Sequence, residues 1–203
     1  MKSKSTTLAQ RAYDSIFEML VQKKIKPSET IKRRDIAAIL NMSLAPVAEA
    51  MQRLESEGFL LTKPRSETTV VGVDETSVKN LCVLRIALEA QAARMYASKI
   101  PEDKFDELMK LAEKIDSANS ENINWLAEIK FHSALVDLAK CPPLSRTFDG
   151  VMKRNLFYSV CSVFPKDRQA SHVDLLKALK TASPDVAEKL LRDHISKRVN
   201  VEV

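Results

Sequence analysis

Along residues 8–24, Leu8, Ala12, Ile16 and Leu20 recur at i, i+4 spacing, and Tyr13, Phe17 and Val21 widen that stripe into an apolar face. The spacing predicts a first helix. Lys26-Pro27-Ser28-Glu29-Thr30 interrupts it, after which Ile31, Ile36, Ile39 and Leu40 predict a short second helix ending near Asn41. Ser43 is an N-cap candidate for a third helix over 44–57, with Pro46 in the first turn, where a missing N–H is tolerated. Val47, Ala50, Met51 and Leu54 would face its core, and Gly58 is placed to cap its end. Two β-prone runs follow, 59–62 and 68–73, separated by Lys63-Pro64-Arg65-Ser66-Glu67; they predict a small hairpin. Helix, helix-turn-helix, hairpin is the order of a winged helix, so residues 1–73 are expected to form an N-terminal winged helix-turn-helix domain.

Beyond Val73 the pattern stays helical. Asp74 can cap a helix over 75–98, in which Val78, Leu81, Leu84, Ile86, Leu88, Ala92 and Met95 supply apolar faces. Pro101 opens the next helix, Ser120-Glu121-Asn122 separates it from another, and Cys141-Pro142-Pro143 ends that one. Pro165 and Ala182-Ser183-Pro184 mark the last two joints. The count is six helices and no strand, so residues 74–203 are expected to be a C-terminal six-helix bundle and the chain mainly α.

Composition agrees with that reading. The 203 residues are 45% hydrophobic and 29% charged, enough to bury a core and unlike a disordered chain. Three glycines and 5% aromatic residues argue against a sandwich or a nucleotide-binding sheet. The formal charge of +5 is uneven: residues 1–73 hold 12 Lys/Arg against 8 Asp/Glu, and residues 74–203 hold 20 against 19. A basic excess in the first third points to a polyanion partner, because cations release counterions from phosphates. The start, Met1-Lys2-Ser3-Lys4-Ser5-Thr6-Thr7, leads into Leu8-Ala9-Gln10-Arg11 without an apolar signal core. No run approaches membrane-spanning length, so a cytoplasmic protein without a membrane partner is expected. Cys82, Cys141 and Cys161 lack paired metal-type spacing and are expected as free thiols.

Candidate chemistry gathers in the bundle. His132, His172 and His194 fall on its third, fifth and sixth expected helices, and Glu128 stands four residues before His132, on the same face. One carboxylate and one imidazole could therefore point inward together, a donor set suited to zinc, nickel, manganese or iron. A lone helical histidine is more often a surface or hydrogen-bonded core residue, and spacing does not prove convergence.

The N-terminal third resembles the GntR family of bacterial transcription regulators. The resemblance is carried by Lys26-Pro27, Asp35-Ile36-Ala37, Ser43-Leu44-Ala45-Pro46-Val47-Ala48-Glu49-Ala50 and Arg53-Leu54-Glu55-Ser56-Glu57-Gly58-Phe59-Leu60. It implies a third helix in the major groove of double-stranded operator DNA, a wing at the adjacent groove or phosphates, and a homodimer on a palindrome. Arg33, Arg34, Ser43, Ala45, Pro46, Arg53, Lys63 and Arg65 are the implied DNA-binding positions. Two departures stand out. The family's recognition helix commonly begins Ser-Arg-Thr-Pro-Val-Arg-Glu-Ala, whereas the two arginine positions here are Leu44 and Ala48, which cannot make bidentate hydrogen bonds to guanine. The wing has Ser66, Glu67 and Thr68 where glycines are usual.

The remainder resembles the FCD type of sensor domain. Leu84-Arg85-Ile86-Ala87-Leu88-Glu89-Ala90-Gln91-Ala92-Ala93, Glu128-Ile129-Lys130-Phe131-His132, Ser171-His172 with Leu176-Lys177-Ala178-Leu179, and Ala187-Glu188-Lys189-Leu190-Leu191-Arg192-Asp193-His194 carry it. The resemblance implies a divalent metal held by Glu128, His132, His172 and His194, with Glu128 where an aspartate is usual, and Cys141 where an asparagine is. Arg85 is the implied partner of a small organic acid effector, since guanidinium matches carboxylate bidentately, and Arg154 is a second candidate; an ion pair of Arg85 with Glu89 is the competing role. The expected protein is a non-enzymatic, ligand-responsive regulator. Two alternatives stand beside it: a sensor module whose head has lost or altered its DNA specificity, and a metal-dependent hydrolase with Glu128 as base.

Overall fold

The computed structural model describes residues 6–63, 67–118, 125–161 and 170–199. The chain divides into two compact units, Met1–Asp74 and Glu75–Val203.

In the first unit, α1 spans Leu8–Val21, and the Thr7 hydroxyl caps it by accepting from the Gln10 N–H at 3.1 Å. It ends before the expected residue 24 because the chain turns at Lys23, whose φ is 58°. Ala12, Tyr13, Ile16, Phe17, Leu20 and Val21 are its buried face, as the spacing requires, but Leu8 at the helix start is exposed. Helix α2 spans Arg33–Leu40 and stops where Asn41 adopts the left-handed conformation, φ 49° and ψ 49°. Helix α3 follows at once, Leu44–Ser56, with Val47, Ala50, Met51 and Leu54 buried. Ser43 holds its N-cap position, but the hydroxyl makes no capping hydrogen bond. Gly58, just past the end, has φ 81°, a conformation that costs a residue with a Cβ.

Three short strands complete the unit: β1 at Thr30–Ile31, β2 at Leu60–Thr62 and β3 at Thr68–Val70. The order is β1-β3-β2, all antiparallel, with Leu60 opposite Val70, Leu61 opposite Thr69 and Thr62 opposite Thr68. The predicted hairpin is thus β2–β3. Strand β1 was not legible: two residues have no period, and their pairing with β3 (Thr30 opposite Thr69) is non-local. Phe59 packs edge-on against Phe17, ring centroids 5.3 Å apart, and joins the sheet to α1.

The second unit contains, among the described residues, six helices: α4 Glu75–Tyr96, α5 Glu102–Asp116, α6 Trp125–Asp137, α7 Pro142–Cys161, α8 His172–Thr181 and α9 Pro184–Val199. Helix α4 packs along α9 and against α7 and α6, while α5 lies between α6 and α8. Phe131, Phe148, Leu176, Leu179, Leu191 and Ile195 are among its core side chains. Proline sets two boundaries as expected: Pro101 is the N-cap residue of α5, and Pro184 opens α9. Ser120-Glu121-Asn122 and Pro165 lie outside the described residues. On α4 the expected apolar face is corrected at Leu84 and Met95, which are exposed; the inward stripe instead carries Cys82, Arg85, Ile86 and Glu89. That stripe is partly charged because it meets polar groups from the neighbouring helices. Among the described residues no helix is long and apolar enough to cross a membrane.

Candidate functional site

Phe131 and His132 of α6 are both wholly buried, and one helical turn earlier Glu128 points into the same space. His172 is the first residue of α8, held in place by the helix start: Ser171 is the N-cap and its hydroxyl accepts from the Asp174 N–H. His194 comes from α9 and is also buried. Each of the three imidazoles has a nitrogen within 4.8 Å of the others. Their ring centroids are 5.5 Å (His132–His172), 5.8 Å (His132–His194) and 4.8 Å (His172–His194) apart. Glu128 Oε2 lies 3.3 Å from His172 Nε2 and 3.6 Å from His132 Nε2. The four residues marked as ligands in the sequence are therefore one buried cluster, with the Phe131 ring edge-on to His132 and His172.

A second layer of carboxylates fixes how the rings face. His132 Nδ1 is 2.7 Å from Glu89 Oε2 on α4, and His172 Nδ1 is 2.9 Å from Asp116 Oδ1 at the end of α5. A carboxylate behind Nδ1 keeps the proton on that nitrogen and leaves the Nε2 lone pair for the centre. His132 Nε2 is buried and has no hydrogen-bond partner among the described residues. Three inward imidazoles and a carboxylate, with a buried nitrogen unsatisfied, fit a divalent cation, which would relieve the cost of that orphaned group.

Glu89 uses its other oxygen on Arg85, whose Nε donates to Oε1 at 2.6 Å; Arg85 Nη1 donates to Asn155 Oδ1 at 3.1 Å. Burial on its own pushes the Glu89 carboxyl up, but the electrostatic pull and hydrogen bonds of His132 and Arg85 outweigh it and hold the group below its ordinary value. Burial likewise disfavours the Arg85 charge, and the Glu89 carboxylate more than restores it. The ion pair with Glu89 is thus real and buried. It does not exhaust the guanidinium, because Nη2 is buried without a partner among the described residues. Arg154 is half-buried on α7, and it is its neighbour Asn155 that reaches Arg85.

Three participants escaped the sequence reading. Asp116 accepts from the Ser171 hydroxyl and the backbone N–H groups of His172 and Val173, besides facing the His172 ring. Burial raises its carboxyl, and these hydrogen bonds lower it further than burial lifts it. Asn155 and the buried Tyr96 hydroxyl, which lacks a hydrogen-bond partner among the described residues, are the others. Unlike these three, Glu89 left a trace, four residues after Arg85; Asp116 is 56 residues from its imidazole, and no local spacing reveals it.

In the first unit Arg33, Arg34, Ser43, Ala45 and Lys63 are exposed and Pro46 is half-buried. Arg53 has a different part. Its Nε donates to Glu57 at 2.9 Å, its Nη1 to Gln10 at 2.7 Å, and its guanidinium lies 4.1 Å over the Tyr13 ring. These contacts place it at the joint between α1 and α3, where its side chain stays exposed. Arg65 lies outside the described residues.

The chain is 28% identical over 200 residues to a probable D-xylose utilization operon transcriptional repressor of Paenarthrobacter nicotinovorans, covering 94% of this chain and 87% of that one. It is 24% identical over 193 residues to the HTH-type transcriptional repressor RspR of Escherichia coli strain K12, covering 92% and 85%. The solved structure of McbR/YncC from Escherichia coli superposes with a TM-score of 0.77 at 22% identity over 94% of both chains, which shows a shared fold. These relatives are transcription regulators, not enzymes, which sets aside the hydrolase reading. The gntR family of bacterial regulatory proteins matches residues 8–70 and the FCD domain matches residues 80–197. With matches over both units, the chain belongs to the GntR family of DNA-binding transcription regulators, in its FCD-containing branch.

Proposed function

We propose that the second unit is a metal-assisted sensor of a small organic acid, and that acid binding changes the operator affinity of a cytoplasmic homodimer. The observation that carries this reading is the buried His132, His172 and His194 cluster, with Glu128 against two of the rings and Glu89 and Asp116 behind them. Glu128, His132, His172 and His194 would hold the ion, which is zinc, nickel, manganese or iron. When bound it supplies positive charge that attracts a carboxylate.

The residues around it divide the remaining work. Glu89 and Asp116 orient two imidazoles, and the Phe131 ring keeps water from one side of them. Arg85, with Nη2 unspent, receives the acid, and its pairing with Glu89 and Asn155 holds the guanidinium in place before the ligand arrives. Arg85 is preferred to Arg154 on these contacts. An acid held here can alter DNA binding only if it binds the DNA-competent and incompetent arrangements unequally.

The test combines metal analysis of the purified full chain with fluorescence titration of short genomic fragments at varied salt. A panel of small carboxylic acids is then added to metal-loaded and metal-stripped protein. One equivalent of metal per chain, and an acid that changes DNA affinity at least fivefold only in the loaded protein, is the expected result. A metal-free preparation that takes up none, with His132→Ala unchanged in acid response, overturns the sensor reading. Negligible DNA affinity even at low salt overturns the operator reading.

A further inference from the structure

The start of α3 presents an unusual face to solvent. Leu44, its first residue, is 49% exposed; Ala45 is exposed and Ala48 half-buried, while the helix turns Val47, Ala50 and Met51 into the core. An isolated exposed leucine is ordinary. This one occupies the N-terminal turn of the second helix of a helix-turn-helix, the turn that meets base edges when such a unit docks in the major groove. Arg33, Arg34 and Lys63 are exposed in the same unit, cations suited to phosphate contacts.

The chemistry of that face is restrictive. The only Lys or Arg between Leu44 and Ser56 is Arg53, and Glu57, Gln10 and the Tyr13 ring already engage its guanidinium. No bidentate reader of guanine O6 and N7 is left on the helix. Apolar side chains have one distinctive partner on a base edge in that groove, the C5-methyl group of thymine. Ser43, whose hydroxyl is not spent on a cap, is exposed at the same end and can donate to a phosphate that sets the register.

We propose that Leu44, with Ala45 and Ala48 beside it, reads thymine methyl groups, so that each operator half-site carries A·T pairs opposite the first two turns of α3. The proposal rests on the head binding duplex DNA and adds what it reads there. Burying one methyl group against Leu44 should be worth about three- to fivefold in affinity.

The test begins with selection of bound duplexes from a random pool by the full chain, metal-loaded and metal-free. Affinity is then measured for the selected site and for copies in which single thymines are replaced by deoxyuridine, which removes only the methyl group. The expected result is one or two positions per half-site where deoxyuridine weakens binding about three- to fivefold, an effect that Leu44→Ala abolishes. Leu44→Arg should move the selected base at that position to guanine. Leu44 is exposed, so neither variant disturbs the core. Guanine opposite Leu44 in the native selection, or equal deoxyuridine sensitivity in native and Leu44→Ala chains, overturns the proposal and leaves the head a DNA reader of another kind. So does a Leu44→Ala chain altered in self-association but not in methyl sensitivity. Failure to enrich any duplex, with no binding at low salt, overturns the proposal together with the DNA reading beneath it.

Discussion

Glu89 carries two obligations with one side chain: Oε1 neutralises Arg85, and Oε2 faces His132 Nδ1. Both partners are buried, so its loss should be felt twice. Glu89→Leu leaves a buried guanidinium unpaired, and urea unfolding should register a loss of about 3–5 kcal/mol, much of it recovered when Arg85→Met is added. Glu89→Gln keeps the shape and removes the charge; competition with a chromophoric chelator should then show metal affinity about 10- to 100-fold weaker. A change in stability without any change in metal affinity would make Glu89 a partner of Arg85 alone. Glu89 shows the limit of local pattern: its tie to Arg85 is readable at i+4, whereas its tie to His132, 43 residues away, exists only once α4 and α6 are packed together.

Helix ends and joints carry the next set of consequences. Asp116, the last residue of α5, satisfies two N–H groups in the first turn of α8 and so holds the helix that begins with His172. Asp116→Ala should cost about 1–2 kcal/mol, and hydrogen exchange should quicken in the first turn of α8 before it does in α6. The joint of α1 and α3 has its own signature. Burial first, then the hydrogen bond the Tyr13 phenol donates to Glu57 and the charge of that carboxylate, push the phenol well above its ordinary value. A group raised on folding contributes stability that is fully present below its unfolded pKa and lost as pH rises through the folded one. Unfolding followed from neutral pH upward should therefore show stability falling beyond about pH 10, with a shallower slope in Tyr13→Phe. An identical slope in the variant would assign the alkaline loss elsewhere. Elements of this kind were uneven in legibility. The long amphipathic helices announce themselves, while β1 is a strand only because β3 lies beside it.

The whole chain joins two units of different chemistry: a helix-turn-helix with a small sheet, and a bundle with a charged interior. A ligand that binds only the folded bundle should stabilise that unit and not the other. Zinc at about 100 times its dissociation constant should add about 2.7 kcal/mol to the bundle, seen in calorimetry as a transition that moves on chelation while the head's transition stays. His132→Ala should abolish the movement; zinc shifting both transitions equally, or neither, would count against a resident site in the bundle.

Periodicity, caps and prolines already determined the helical content, the order of the head's three helices and hairpin and the helices that carry Glu128, His132, His172 and His194, because those signals act within a few residues along the chain. Convergence is another matter, since it depends on which faces of α4, α6, α8 and α9 meet. Only the tertiary structure placed three imidazoles within 4.8 Å, put Glu89 and Asp116 behind two of them, tied Arg53 into the α1–α3 joint and left Leu44 on the surface. Packing brings together side chains that the sequence keeps dozens of residues apart, and their charges act on one another only at that distance.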